Sequence, residues 1–231
     1  MSKNAAANTP IHSITKFTTL DYPHRLASIF WFARCNMSCP YCYNPKIVLE
    51  NGNISIPEAL AFLQTRQGRL DGVVLSGGEC TLYAKLPELC TKIKALGYKI
   101  KIDTNGSNPT MLKKLIQDKL VDYVALDYKA PLLRYPSFVD YALTKHIKKS
   151  LDLLILENFA FEVRTTWHSD LLSIEEINAI AHDLFERGYK GTYYLQRYLH
   201  VEHTLKSTPI EHNAIDLKQL SSIVPIELRN F

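Results

Sequence analysis

No apolar run in this chain of 231 residues approaches the roughly eighteen residues that a membrane-spanning helix requires. Glycine and proline are sparse, at 9 and 11, and no linker-like run or internal repeat interrupts the pattern. Charge of either sign is scarce in excess: 27 Lys and Arg against 23 Asp and Glu leave +4, well short of a nucleic-acid footprint. Cysteine is limited to 5 residues, an odd number, and Met1 to Pro10 is polar and Ala/Asn-rich, without the apolar core of a secretory leader. These absences argue against a membrane protein, a nucleic-acid binder and a disulfide scaffold. What is present is 46% hydrophobic residues, enough for one globular domain over 1–231 with a sizeable core, expected to be soluble and cytoplasmic.

Three of the five cysteines fall within eight residues. Cys35-Asn36-Met37-Ser38-Cys39-Pro40-Tyr41-Cys42 spaces them C-x3-C-x2-C directly after the apolar run Leu26 to Ala33. A loop this short can aim three thiolates at one point, which suits three corners of an iron–sulfur cube and leaves the fourth iron open for chemistry. Zinc is the alternative, but a closed structural site needs four ligands, and no second C-x2-C or paired His follows. The eight histidines are scattered without metal-ligand spacing.

Periodicity alternates short apolar runs with amphipathic stretches. Strands are expected over 26–33, 72–76, 98–103, 121–127, 159–166 and 191–196. Ser55-x-x-Glu58 and Ser173-x-x-Glu176 are capping boxes that open helices. The stripe Leu86, Leu89, Ile93, Leu96 stops at Gly97, and Asn108-Pro109 reads as an N-cap followed by a first-turn proline. Lys145, Lys148 and Lys149 lie opposite the stripe Leu143, Ile147, Leu151 and read as a solvated face. Six β–α units in series predict a parallel sheet, with a leader segment over 1–24, a core over 25–200 and a C-terminal extension over 201–231.

Every polar motif falls at the C-terminal end of an expected strand, where ligand sites gather in parallel α/β folds. The cysteine loop follows the first strand, Gly77-Gly78-Glu79 the second and Asp103-Thr104-Asn105-Gly106 the third. Asp127 and Lys129 end the fourth, Arg164 the fifth and Gln196 the sixth. Gly77 and Gly78 permit close backbone approach, although a glycine pair by itself is an ordinary turn. Asp103 to Gly106 reads equally as an Asx turn into the Pro109 helix. Asp127 and Lys129, ending an apolar run, would be costly without partners.

The cysteine spacing, Tyr41 and the following Cys42-Tyr43-Asn44-Pro45, together with Ser76-Gly77-Gly78-Glu79, resemble the radical S-adenosylmethionine (SAM) superfamily. The resemblance implies an open partial (β/α)6 barrel of the TIM type, an oxidoreductase chemistry and a [4Fe-4S] cluster held by Cys35, Cys39 and Cys42. It implies that SAM binds the remaining iron and is cleaved reductively to methionine and a 5′-deoxyadenosyl radical. The SAM contacts it implies are Tyr41, Gly77, Gly78, Glu79, Asp103, Asn105, Lys129 and Arg164.

Asp-Thr-Asn-Gly at 103–106 and Asp-x-Lys at 127–129 narrow the resemblance to the glycyl-radical-enzyme activases, where Asp103, Thr104 and Asp127 match positions that hold a monovalent cation. Phe17 to Pro23, Val121 to Pro131, Phe161 to Thr166 and Tyr193 to Gln196 extend the likeness to the longer form of the anaerobic ribonucleoside-triphosphate reductase activating proteins. Pyruvate formate-lyase activating enzymes share most of these motifs. The implied partners are a glycyl radical enzyme, whose glycine loses an α-hydrogen, and a flavodoxin or ferredoxin as electron donor. Tyr193, Tyr194, Gln196, Tyr198 and His200 are the candidates to line the mouth that admits the partner's loop.

Two residues depart from the pattern: Cys80 stands where proline is usual, and Tyr43 where histidine is common. Cys80 reads as a spectator and Cys90 as a small core residue. A small-molecule enzyme such as 7-carboxy-7-deazaguanine synthase, a zinc-stabilised binding module and a simple electron carrier are the competing readings.

Overall fold

The computed structural model describes residues 9–134, 141–201, 204–205 and 216–231. Eight strands follow one another in a single open sheet whose order equals their order in the chain: β1 (Ile11–Thr18), β2 (Ala27–Phe32), β3 (Gly72–Gly77), β4 (Lys99–Thr104), β5 (Tyr123–Asp127), β6 (Phe161–Trp167), β7 (Tyr193–Arg197) and β8 (Ile226–Arg229). β1 runs antiparallel to β2, whereas β2 with β3, β3 with β4, β6 with β7 and β7 with β8 are parallel. Strands β2 to β7 are the six that the apolar runs predict. The fold is therefore the expected α/β architecture, with two additions. The leader is not merely a preface but contributes β1, and the C-terminal extension contributes β8. Both escape periodicity because an edge strand buries few side chains: β1 is fully buried only at Ile11 and Thr18, and β8 at none of its four residues.

The helices are α1 (Pro45–Leu49), α2 (Ile56–Gln64), α3 (Leu86–Ala95), α4 (Pro109–Gln117), α5 (Tyr141–Leu156) and α6 (Ile174–Glu186). Both capping boxes form. Ser55 and Ser173 accept from the amides of Glu58 and Glu176, whose carboxylates return to the cap amides at 2.8 and 3.0 Å. By contact the chain divides into two compact units: residues up to 36, 44–104 and 110–124 form the first, and 37–43, 105–109 and 125 onward the second.

In the first unit, the consecutive apolar residues of β2 to β4 are buried on both faces, including Phe30, Phe32, Val73 to Leu75, Ile100 and Ile102. Leu63 of α2 and Leu86, Leu89, Cys90 and Ile93 of α3 are likewise buried, each large side chain worth about 1.5–3 kcal/mol relative to exposure. Tyr22 from the leader packs with Ala27, Ile29 and Val74. The second unit is organised similarly: α5 buries Ile147, Leu151 and Leu154 and exposes Lys145, Lys148 and Lys149, while α6 buries Ile177, Ile180, Ala181 and Leu184. None of the described helices is long and apolar enough to cross a membrane.

Candidate functional site

In the first unit the chain leaves β2 through Arg34, whose φ of 75° puts a left-handed residue directly before Cys35. Arg34 is fixed by its own amide on the Ile47 carbonyl at 2.8 Å and by its guanidinium on Leu49 O at 3.0 Å and Asn51 Oδ1 at 2.6 Å. The end of β3 packs against this turn. A Cβ added to Gly77, which has φ of 122°, would lie 2.3 Å from both N and O of Phe32; one added to Gly78 would lie 1.8 Å from Arg34 O and 3.1 Å from Cys35 N. No side chain fits at either position, so the glycine pair is required by the backbone that leads into the cysteines. The amides of Gly78 and Glu79 donate to Phe32 O and Arg34 O at 2.8 and 2.9 Å. Those two N–H groups serve the fold, and a ligand at this segment would meet carbonyl acceptors.

Glu79 is 2% exposed, and its Oε1 accepts from the Thr81 amide at 3.1 Å, the Thr81 hydroxyl at 2.5 Å and the Thr104 hydroxyl at 2.8 Å. This carboxylate ties the ends of β3 and β4 together. Asp103 accepts from the Ser76 hydroxyl at 3.3 Å through Oδ2, and its Oδ1 lies 2.8 Å from the ammonium of Lys101. Lys101 was not among the sequence candidates. The signal was available: on a strand, residues two apart share a face, so Lys101 stands beside Asp103. Cys80 is fully buried, with its thiol on Leu75 O at 3.4 Å and Asp103 O at 3.6 Å, and burial pushes it well above the ordinary thiol range. Cys90 is also fully buried, which pushes its pKa to about 12 and agrees with a core role.

The second unit contains Cys39, buried, and Cys42, half-buried, joined by a turn in which the Cys42 amide donates to Cys39 O at 3.2 Å. Burial raises the Cys39 thiol, partly opposed by the positive charge of Lys129. Tyr41 is 5% exposed, and burial raises its hydroxyl too. Tyr43, the departure from the family pattern, is fastened: its ring stacks on Tyr198 at 5.4 Å and 9°, and its hydroxyl accepts from the Leu199 amide at 2.8 Å. Asn105 Oδ1 accepts from the Ser107 amide at 2.9 Å, the expected Asx turn. Gly106 has φ of 73° and receives the Ser150 hydroxyl on its carbonyl at 2.6 Å; a Cβ there would lie 2.7 Å from Leu126 Cδ1.

Asp127 has the partners that its position demanded. Arg164 donates through Nε and Nη2 to Oδ1 at 3.0 and 2.9 Å, and Lys129 Nζ lies 3.3 Å from Oδ2. Burial alone would raise this carboxyl, but Lys129 and Arg164 outweigh it and hold the pKa at about 2. Of the mouth candidates, Tyr193 and Tyr198 are buried, Tyr194 is half-buried beneath the guanidinium of Arg229, 3.6 Å above its ring, Gln196 is half-buried and His200 is exposed.

The five cysteines are all free thiols. Among the described residues no group of three or more His, Cys, Asp or Glu is gathered as a ready site for a metal ion. The three loop cysteines are soft donors on one short segment of sequence, the chemistry that an iron–sulfur cluster takes, without being gathered in advance of it. The cationic pair Lys129 and Arg164, gathered on Asp127, has the chemistry to take a carboxylate.

The sequence model of the Radical SAM superfamily matches residues 29–154. A protein of Methanocaldococcus jannaschii, provisionally named a glycyl-radical enzyme activating enzyme, is 35% identical over 177 residues, covering 74% of this chain and 73% of its own. The 7-carboxy-7-deazaguanine synthase of Neisseria meningitidis is 31% identical over 97 residues, 42% of this chain and 41% of its own. Among solved structures, Streptococcus suis SuiB superposes with a TM-score of 0.66 at 14% identity over 86% of this chain; the chain spans 47% of that protein, about half its length.

Proposed function

This chain belongs to the Radical SAM superfamily, and from that premise we propose that it is an activating enzyme that installs a glycyl radical on anaerobic ribonucleoside-triphosphate reductase. The observation that supports the activating-enzyme part of this reading is the 35% identity to a provisionally named activating enzyme across nearly three quarters of both chains; the reductase as target rests on the resemblance of Phe17 to Pro23 and the other matching segments alone. The match to the deazaguanine synthase spans less than half of either chain.

Cys35, Cys39 and Cys42 would hold the [4Fe-4S] cluster. Once bound, the cluster and SAM supply reductive cleavage of the sulfonium to methionine and a 5′-deoxyadenosyl radical. The protein's contribution is placement. Carbonyl oxygens of Gly77 and Gly78 are suited to accept from SAM's ammonium, because an ammonium needs acceptors only. Glu79 and Thr104 hold that segment in register through their shared hydrogen bond. Lys129 and Arg164 are suited to donate to SAM's carboxylate, with Asp127 orienting both cations. Tyr41 would lie against the adenine, and Asp103 and Asn105 would complete the SAM contacts. Tyr194, Gln196 and His200 would meet the glycine-bearing loop of the partner, and a flavodoxin or ferredoxin would deliver the electron.

The test is anaerobic reconstitution with iron and sulfide, reduction with dithionite and assay of 5′-deoxyadenosine in wild type and Cys39→Ala. Product in the wild type alone, followed by a glycyl-radical EPR signal on added reductase, is the expected result. Iron bound and reduced without product would leave an electron carrier. Cleavage without a glycyl signal on reductase but with one on pyruvate formate-lyase would move the partner assignment.

A further inference from the structure

The resemblance assigns Asp103, Thr104 and Asp127 to a monovalent cation, and the residues present do not fit that assignment. In the first unit, Asp103 already faces an ammonium, since Lys101 Nζ lies 2.8 Å from its Oδ1. The Lys101 side chain is only 2% exposed, and the same ammonium donates to the Asp21 carbonyl at 2.6 Å, so a backbone hydrogen bond holds it at ion-pair distance from Asp103. Thr104 directs its hydroxyl proton to Glu79 at 2.8 Å. In the second unit, Asp127 turns Oδ1 toward Arg164 and Oδ2 toward Lys129.

A hard cation needs several oxygens converging on it with lone pairs turned inward. Here both carboxylates are turned on basic side chains of the chain itself. A second positive charge brought against Asp103 would also be repelled by an ammonium that is shielded from water, where screening is weak. Burying an unpaired lysine is costly, so its pairing with Asp103 and Asp21 is an integral part of how β4 ends.

We propose that Lys101 supplies from within the fold the positive charge that related activases are implied to take from a monovalent cation, so that this protein binds SAM without one. The part concerning SAM rests on the radical SAM reading; the part concerning the cation concerns the cluster-free chain alone. The two are tested separately.

First, thallium(I) NMR on the cluster-free wild-type chain reads cation binding directly. No saturable binding is expected, and the unfolding temperature is expected to be equal in potassium, sodium and choline chloride. Second, calorimetry on the reconstituted protein reads SAM affinity, expected to agree within about twofold between potassium and choline. In Lys101→Met the Asp103 carboxylate loses its ammonium, and the variant is expected to bind thallium(I) and to take SAM about tenfold more tightly in potassium than in choline. Lys101→Arg, which keeps the charge, is expected to stay cation-independent.

Saturable thallium(I) binding by the wild type that disappears in Asp103→Asn would overturn the proposal, and so would a tenfold loss of wild-type SAM affinity in choline. A folded Lys101→Met that gains no cation dependence would overturn the assignment to Lys101. If Lys101→Met does not fold, the wild-type and Lys101→Arg measurements decide alone. Failure to bind SAM in any salt would sink the radical SAM reading instead, while thallium(I) binding would still decide whether Asp103 accepts a cation.

Discussion

The loop cysteines and the core cysteines carry the same side chain in different surroundings. Cys35 and Cys42 are half-buried on a segment outside the sheet ladder, with Cys39, itself buried, between them in the chain. Cys80 and Cys90 are fully buried in the first unit, and Cys80 also spends its thiol proton on two carbonyls. Cys80 follows Glu79 directly and opens the short 3-10 turn Cys80–Leu82, with its thiol on the Leu75 and Asp103 carbonyls. A cysteine beside a motif in sequence is therefore not for that reason an exposed one; the direction in which the backbone turns next decides its surroundings.

The largest effect that would sharpen this contrast is loss of 5′-deoxyadenosine to background in Cys39→Ala, while Cys80→Ala and Cys90→Ala retain product. Retention in the first and loss in either of the others would reverse the comparison. Next in size is Gly78→Ala, where a Cβ 1.8 Å from Arg34 O must displace the turn that carries Cys35. We expect destabilisation of about 4 kcal/mol by urea unfolding, among the largest effects that a single substitution produces. An unchanged midpoint would show that this contact relaxes freely. Cys80→Ala should cost about 1 kcal/mol, a small lost contact in a packed interior, and native-state alkylation should label Cys35 and Cys42 while sparing Cys80 and Cys90.

An effect as small as that of Cys80→Ala is expected at Asp127. Its carboxyl is depressed in the folded chain, to about 2, so its contribution is present above the ordinary aspartate range and is lost as pH falls toward that value. Because the side chain is 32% exposed, we expect only about 1 kcal/mol between neutral pH and about pH 3. Asp127→Asn should flatten that part of the urea-midpoint profile, and an equally steep profile in the variant would assign the acid sensitivity elsewhere.

Much of this was legible in the sequence. Six apolar runs became β2 to β7, both Ser-x-x-Glu boxes closed, and the costly Asp127 was found with Lys129 and Arg164. The reason for the glycine pair was not legible, because it is the carbonyl of Arg34, over forty residues earlier, that leaves no room for a side chain. Nor was the fastening of Tyr43 by Tyr198 and Leu199, which joins residues 156 positions apart. Strands β1 and β8 were missed because partly buried edges carry weak patterning.

What the sequence by itself determined is therefore local: the cysteine spacing, the strand periods, the caps and the order of polar motifs along the chain, all set by residues within a few positions of one another. What only the tertiary structure decided is which charges meet. Lys101 becomes a fixed cation because the Asp21 carbonyl, 80 residues away, closes over it beside Asp103. A backbone carbonyl is present at every residue and leaves no mark in a sequence, so pairings that depend on one emerge only when the chain is folded.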